Sequence, residues 1–403
     1  MPLLALGAAS ALLGALRANL EEDSKTLLAC STIENIGLIV LGFGLALAFR
    51  GTDLAVLAAL AAGAALLHAL NHGVFKTLLF LVAGAVAHSA GSRRLDRLGG
   101  LIHAMPVTAA CALVGAMAAA SLPPLSGFAS EWLLLQSLLA GWRIGDIGFQ
   151  VVAAAAMALA AMAAALAAAA MLRFFGLVFL GRPRSPRGAG AHEASRLERW
   201  SLLLPAGLTV LLGLFPGVML VLAEPAMQAL VGPTALAPVQ GLALVAGEGR
   251  SAYWPLAAGL LLALAGGGAY WLVRRRSPLA TARGPIWDCG FIDPPAHLPF
   301  GDPLTQPSAA GLAQPLRRML GEPLLHASEA VDMPEPGETR PGRYASGFLD
   351  PSSPLLLVPL ARLRDWLTER MEWLRDLTIR QSLSLSFVTL VGLLTLLAWL
   401  EAG

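Results

Sequence analysis

Apolar residues in this chain come in long runs, not in the alternation of a half-buried strand or the spaced stripe of a soluble helix. The runs cover residues 3–20, 27–49, 54–87, 106–140, 149–180, 200–223, 252–273 and 382–400. Each is near or above the roughly 20 apolar residues that cross a bilayer as a helix, which predicts about eight transmembrane spans. Run 54–87 would measure about 50 Å as a straight helix against a hydrocarbon core of about 30 Å. It must tilt, bend or project, and Gly63 or Gly73 could supply a bend. Run 106–140 is also too long for one upright helix and carries Pro123-Pro124, then Gly127, near its middle. Proline lacks a backbone donor and clashes with the preceding turn, so this pair predicts a helix broken into halves. Towards the C-terminus Leu356, Leu360, Leu363, Leu367, Leu374 and Leu377 recur at helical spacing with Trp366 and Trp373. Arg364, Asp365, Glu369, Glu372 and Arg375 take the other faces. Residues 355–380 therefore read as an amphipathic helix lying on the membrane or along neighbouring subunits.

Composition agrees. The 403 residues are 56% hydrophobic and 13% charged, whereas a soluble domain carries about 25% charged residues. The fold class is an all-α polytopic membrane protein. A net charge of +2, spread over loops, offers no basic face for nucleic acid. Cys30, Cys111 and Cys289 stand apart with no C-x-x-C pair, so neither a metal site, a cofactor cluster nor a disulfide framework is expected. Redox chemistry would belong to a partner, and the chain reads as a non-catalytic subunit. Five segments follow: a five-helix repeat over 1–181, two further spans with loops over 182–274, a Pro/Gly-rich cytoplasmic stretch over 275–354, the amphipathic helix over 355–380 and a last span over 381–403. In the third, Pro294-Pro295 and residues 334–342 are the expected breaks. Arginine decides orientation. Arg93, Arg94 and Arg97 follow the third span, Arg182, Arg184, Arg187, Arg196 and Arg199 the fifth, and Arg274, Arg275 and Arg276 the seventh, while the alternate loops hold Arg50, Arg143 and Arg250. The first set is expected in the cytoplasm and both termini on the outer face of a prokaryotic inner membrane. Span 3–20 has its arginine, Arg17, after the apolar stretch, the reverse of a secretory signal, and reads as a true helix, the first left by an upstream truncation.

Against this background Lys76 stands out. The chain has 26 arginines and two lysines, yet a lysine sits inside run 54–87, with His72 and His68 before it at helical steps of four. Arginine keeps its proton under physiological conditions; a buried lysine can release and retake one. Lys76 is eleven residues from the end of its run, roughly 16 Å of helix, a long reach for snorkelling. Three ionisable groups on one intramembrane face suggest a proton path. Glu131 is the one charge between His103 and Arg143 and falls just after the broken helix, a recurring arrangement at ion sites of transporters. Arg173, near the end of its run, is expected to snorkel.

Several strings also resemble a known family. DSKTLLACSTIENIG (residues 23–37) is similar to the segment opening a membrane helix in antiporter-like subunits of respiratory complex I and group 4 hydrogenases. HALNHGVFK (68–76) resembles their histidine and lysine helix, and SLPPLSGFASEW (121–132) their discontinuous helix. Glu34-Asn35 and the string WDCGF (287–291) point to the formate hydrogenlyase subunit 3 and hydrogenase-4 component B branch. QPSAAGLAQP (306–315) resembles a further segment, with Pro307 and Leu312 where the family has tyrosine and phenylalanine. The resemblance implies two inverted repeats of five helices, of which this chain would begin at the second. It implies that Lys76 takes a proton at mid-membrane, that His72 and His68 relay it, and that Glu131 passes it outward. Glu34 either orients that network or pairs with Lys25 near the cytoplasmic surface. The implied partners are the other membrane and peripheral subunits of a hydrogenase or complex I-like assembly, the lipid bilayer and protons. A sodium/proton antiporter subunit, or a non-conducting anchor for a hydrogenase, are the alternatives.

Overall fold

The computed structural model describes residues 1–233, 237–246, 251–277, 306–349 and 353–401. The WDCGF string with Cys289, Arg250 and Pro294-Pro295 lie outside them. The chain divides into two units, Met1–Gly321 and Glu322–Gly403.

The first unit holds α1 (Pro2–Leu20), α2 (Ser24–Arg50), α3 (Ala55–Ala90), α4 (Pro106–Ala119), α5 (Ser126–Leu139), α6 (Ile147–Phe179), α7 (Arg196–Leu214), α8 (Pro255–Arg276) and the short α9 (Ala309–Leu316). α1 and α2 lie backbone to backbone. A Cβ on Gly14 would sit 2.5 Å from the Glu34 nitrogen, and one on Gly37 2.5 Å from the Ala11 nitrogen. Small residues let membrane helices approach where no hydrophobic drive exists between them, and here they bring Glu34 of α2 hard against α1. α2 begins at Asp23, whose carboxylate accepts from the Lys25 and Thr26 backbone nitrogens at 2.9 and 3.1 Å. α3 runs unbroken through Gly63 and Gly73.

The proline pair does end a helix. α4 stops at Ala119 and α5 starts at Ser126, with six non-helical residues between. The halves cross so closely that a Cβ on Gly127 would lie 2.0 Å from the Ala118 carbonyl oxygen. Gly213 of α7 closes the break from outside, where a Cβ would meet the Pro124 oxygen at 2.4 Å. Irregular backbone at membrane depth is tolerated when buried in protein, and these two glycines make the burial possible.

Two expectations need correction. Run 200–223 is not one span: α7 ends at Leu214 because Pro216 cannot donate onward, and short helices Pro216–Leu222 and Glu224–Val231 follow. Arg173 does not snorkel. It is 5% exposed and donates inward, from Nε to the Ala309 carbonyl at 3.1 Å and from Nη1 to the Ala18 carbonyl at 3.4 Å. Segment 306–316 is docked there by more than this contact. The Ala309 nitrogen donates to Asp96 at 2.6 Å, and Arg184 donates to the Pro307 carbonyl at 2.8 Å. Part of the stretch expected as loop is therefore folded against the first unit.

Loops after the first, third and fifth spans meet at one end. Arg94 pairs with Glu22 at 2.9 Å, Arg93 with Asp23 at 3.1 Å, and the Gly100 nitrogen donates to the Leu180 carbonyl at 2.8 Å. The arginine-bearing loops after the third and fifth spans thus lie at the same end as the acidic turn after the first. At this end Glu193 caps α4, accepting from the Val107 nitrogen at 2.7 Å and the Thr108 hydroxyl at 2.6 Å. Partial burial opposes its charge, but bonds from the Thr108 hydroxyl and the Ala194, Val107 and Thr108 nitrogens outweigh it and hold the carboxyl below the usual range. A depressed folded-state pKa stabilises above the unfolded value, near 4.3, and the gain is lost as pH falls through the lower folded one. Glu193→Gln is accordingly expected to cost about 0.5–2 kcal/mol at pH 7, with the deficit vanishing in acid. Thermal unfolding in detergent across that range checks it.

At the other end strands β1 (Val239–Gln240), β2 (Ala243–Ala246) and β3 (Ser251–Tyr253) form an antiparallel sheet in that order. Tyr253 packs edge-on against Phe128 of α5 at 5.0 Å and beside Trp132 at 5.9 Å.

The second unit holds a hairpin, β4 (Ser328–Asp332) with β5 (Arg343–Gly347), whose connection contains the expected break at 334–342. It continues into α10 (Val358–Met371) and α11 (Ile379–Glu401). The amphipathic helix is shorter than the leucine spacing predicts: a 3-10 turn spans Glu372–Asp376, and Thr378 starts a new helix by exchanging hydrogen bonds with Gln381. Seven helices among the described residues are long and apolar enough to cross a membrane: α1, α2, α3, α6, α7, α8 and α11.

Candidate functional site

Steps of four along α3 put Lys76, His72 and His68 on one face, and that face is turned inward: the three are 5%, 8% and 1% exposed. Lys76 Nζ donates to the Leu28 carbonyl of α2 at 3.1 Å. Its ammonium thus ends against a neighbouring helix, which a snorkelling lysine would not do. His72 stands edge-on to Phe75 at 5.7 Å, and its Nε2 has no hydrogen-bond partner among the described residues.

His68 is held from both sides. Its Nε2 lies 3.1 Å from Asn35 Oδ1 on α2, and its Nδ1 lies 2.9 Å from Ser130 Oγ on α5. Asn71, three residues further along α3, donates to the Ser126 carbonyl at 2.7 Å and to Ser130 Oγ at 3.2 Å. The start of α5 is therefore bonded to α3 through the Ser126 carbonyl and the Ser130 hydroxyl. Glu34 is buried on α2, accepts from Ser31 Oγ at 3.2 Å, and lies within electrostatic range of both Lys76 and Glu131. Glu131 is half-buried in the second turn of α5, with the Ser121 hydroxyl of the break as its hydrogen-bond partner.

Of the residues singled out in the sequence, Lys76, His72, His68, Glu34 and Glu131 come together where α2, α3 and α5 meet. Pro123, Pro124 and Gly127 form the break beside them. Lys25 does not join. It is half-exposed in the first turn of α2, about 13 Å along the helix from Glu34, and no ion pair joins the two among the described residues. Of the two lysines weighed for Glu34, Lys76 is the one within its electrostatic range. Asn35, Asn71, Ser126 and Ser130 were not predicted. All four sit inside strings already quoted, but amides and hydroxyls carry no spacing signal of their own.

Beyond Glu131, towards the end that carries the three-stranded sheet, a cavity of about 420 Å³ opens. Asp53, Leu57, Leu60, Gln136, Arg143 and Ser251 are among its lining. Gln136 is five residues after Glu131 on α5, and Leu60 eight before His68 on α3, so the cavity continues the same helix pair. The arrangement offers a row of groups able to hold a proton, running from the α2–α3 contact towards a largely apolar cavity with Asp53, Gln136, Arg143 and Ser251 in its wall.

Residues 1–157 match the family described as NADH:quinone oxidoreductase/Mrp antiporter, transmembrane region. The chain is 40% identical over 346 residues to an uncharacterized protein of Mycobacterium tuberculosis, 84% of this chain and 52% of that one. It is 36% identical over 307 residues to hydrogenase-4 component B of Escherichia coli, 75% of this chain and 46% of the relative. The chain spans about half the length of these curated relatives. In fold it is similar to a chain of the membrane-bound sulfane sulfur reductase, an archaeal respiratory membrane complex, with a TM-score of 0.59 at 20% identity over 98% of this chain and 56% of that one. Over residues 1–157 this chain is thus similar to the NADH:quinone oxidoreductase/Mrp antiporter transmembrane family, as an antiporter-like membrane protein.

Proposed function

We propose that this chain is a proton-translocating membrane subunit of an energy-converting hydrogenase or complex I-like assembly in a prokaryotic inner membrane. The observation that carries the reading is the inward face of α3, where Lys76, His72 and His68 are buried against Glu34 and beside a broken helix bearing Glu131. Ionisable groups at membrane depth are costly, and a set placed around irregular backbone is the usual architecture of an ion path. Lys76 takes a proton at the α2 contact, His72 and His68 pass it along α3, and Glu131 releases it to the cavity lined by Gln136 and Asp53. Glu34 holds the charge balance between Lys76 and Glu131, and both termini face the outer side. Partner subunits supply the redox energy. Relatives named as hydrogenase-4 components support that partner class.

The test uses inverted membrane vesicles from the source cells with and without the gene, energised in turn by NADH, formate and hydrogen. Acidification of the lumen is followed with a quenched dye, in sodium and in sodium-free buffer. Loss of uptake with at least one donor, independent of sodium, is expected. Uptake unchanged for every donor refutes the reading, and loss only in sodium replaces it with sodium/proton exchange.

A further inference from the structure

Ser130 has one hydroxyl hydrogen and three acceptors within reach: His68 Nδ1 at 2.9 Å, the Gly127 carbonyl at 3.1 Å and the Ser126 carbonyl at 3.3 Å. Which acceptor receives it is set elsewhere. Asn35 Nδ2 donates to the Ser31 carbonyl at 2.7 Å, so its other atom, facing His68, must be the oxygen. An amide flip would put two oxygens in contact. His68 Nε2 therefore carries the hydrogen in that 3.1 Å bond, and in the neutral ring Nδ1 is the bare acceptor. Ser130 must then donate to Nδ1 while accepting from Asn71 Nδ2 at 3.2 Å.

Protonation at Nδ1 reverses this. In the relay the proton comes from charged His72, whose N–H bond breaks as one forms at His68 Nδ1, and the Ser130 O–H, itself intact, must turn away. The acceptors left are the carbonyls of Ser126 and Gly127, the first turn of α5. A hydroxyl supplies one donor and two acceptor sites: the neutral state uses the donor and the acceptor site filled by Asn71, and the charged state uses all three, the second acceptor site turning to Nδ1–H.

We propose that Ser130 is a positioning residue that switches its hydroxyl between His68 Nδ1 and the carbonyls of the broken helix, so that each proton reaching His68 is registered in the first turn of the helix that carries Glu131. Asn35 closes Nε2, and His68 then exchanges protons through Nδ1 alone, on the side of the break. The titratable groups on the surrounding elements are Glu34 on α2, His72 and Lys76 on α3 and Glu131 on α5. The proposal rests on the proton-relay reading for its consequence, although the hydrogen-bond switch itself does not.

Two measurements separate them. In the full chain in lipid bilayers with 15N-labelled histidine, His68 is assigned among the seven histidines by the signals lost in His68→Gln. The neutral ring is expected as the Nε2–H tautomer, in wild type and in Ser130→Ala alike. The Nδ1 resonance should shift downfield in Ser130→Ala, where its donor is gone, and stay near the wild-type position in Ser130→Thr. An Nδ1–H tautomer in the wild type, or an unmoved Nδ1 signal in Ser130→Ala, overturns the switch. In the vesicle assay Ser130→Ala should lower proton uptake roughly tenfold, the scale on which a group orienting a histidine matters, and Ser130→Thr should restore it. Normal uptake in Ser130→Ala overturns the coupling while a Lys76 variant still reports on the relay. If Lys76 variants transport normally, the relay fails and the spectra alone decide the fate of Ser130.

Discussion

Lys76→Met is expected to assemble normally and to move no protons. Methionine matches the length of the lysine stem and removes a charge whose one hydrogen bond among the described residues is to the Leu28 carbonyl, so burial becomes cheaper. Lys76→Arg is expected to be equally silent for the opposite reason, since its guanidinium stays charged and cannot release the proton. Either variant should lower vesicle acidification by roughly 100-fold or more, the low end of what a placed acid–base group contributes. Blue-native gels would establish that the complex is present. Near-normal uptake by Lys76→Arg would show that a fixed positive charge suffices and that no proton passes through this position.

Glu131→Gln is expected to have the next largest effect. Glutamine keeps the shape and can still bond the Ser121 hydroxyl, which partners Glu131, but it neither holds a proton nor feels the charge on Glu34. Uptake should fall by roughly 100-fold at unchanged complex abundance, whereas a purely structural Glu131 would show poor assembly or no change. The two substitutions together should be no worse than either alone, because groups in one relay are grossly non-additive.

How far the sequence predicted all this depends on the kind of signal. Spanning helices are written as runs of apolar residues, and the break as Pro123-Pro124, because bilayer thickness and a missing donor are local constraints. The inward face of α3 was readable from the spacing of His68, His72 and Lys76. What was not readable is pairwise. Nothing near Gly213 says that it must press on Pro124, and nothing near Ser130 says that His68 will face it; both need the packing of helices distant in sequence. Arg173 misled for the same reason, since a charge near the end of a span snorkels unless another segment brings it acceptors. Run 200–223 was misread by counting apolar residues across Pro216, where the same proline rule used at 123–124 applied.

The clasp around Arg173 has a consequence for the order in which the protein is made. Its guanidinium enters the membrane with α6, but its acceptor Ala309 lies 136 residues later in the chain. At about 5–20 residues per second of synthesis, the charge waits on the order of ten seconds before the segment that satisfies it has left the ribosome. During that interval the Ala18 carbonyl at the end of α1 is, among the described residues, the one hydrogen-bond acceptor already made. Closing of the 306–316 segment over Arg173 is thus a late step of biogenesis, and a nascent chain halted before it would expose an unsatisfied cation to the quality-control proteases of the membrane.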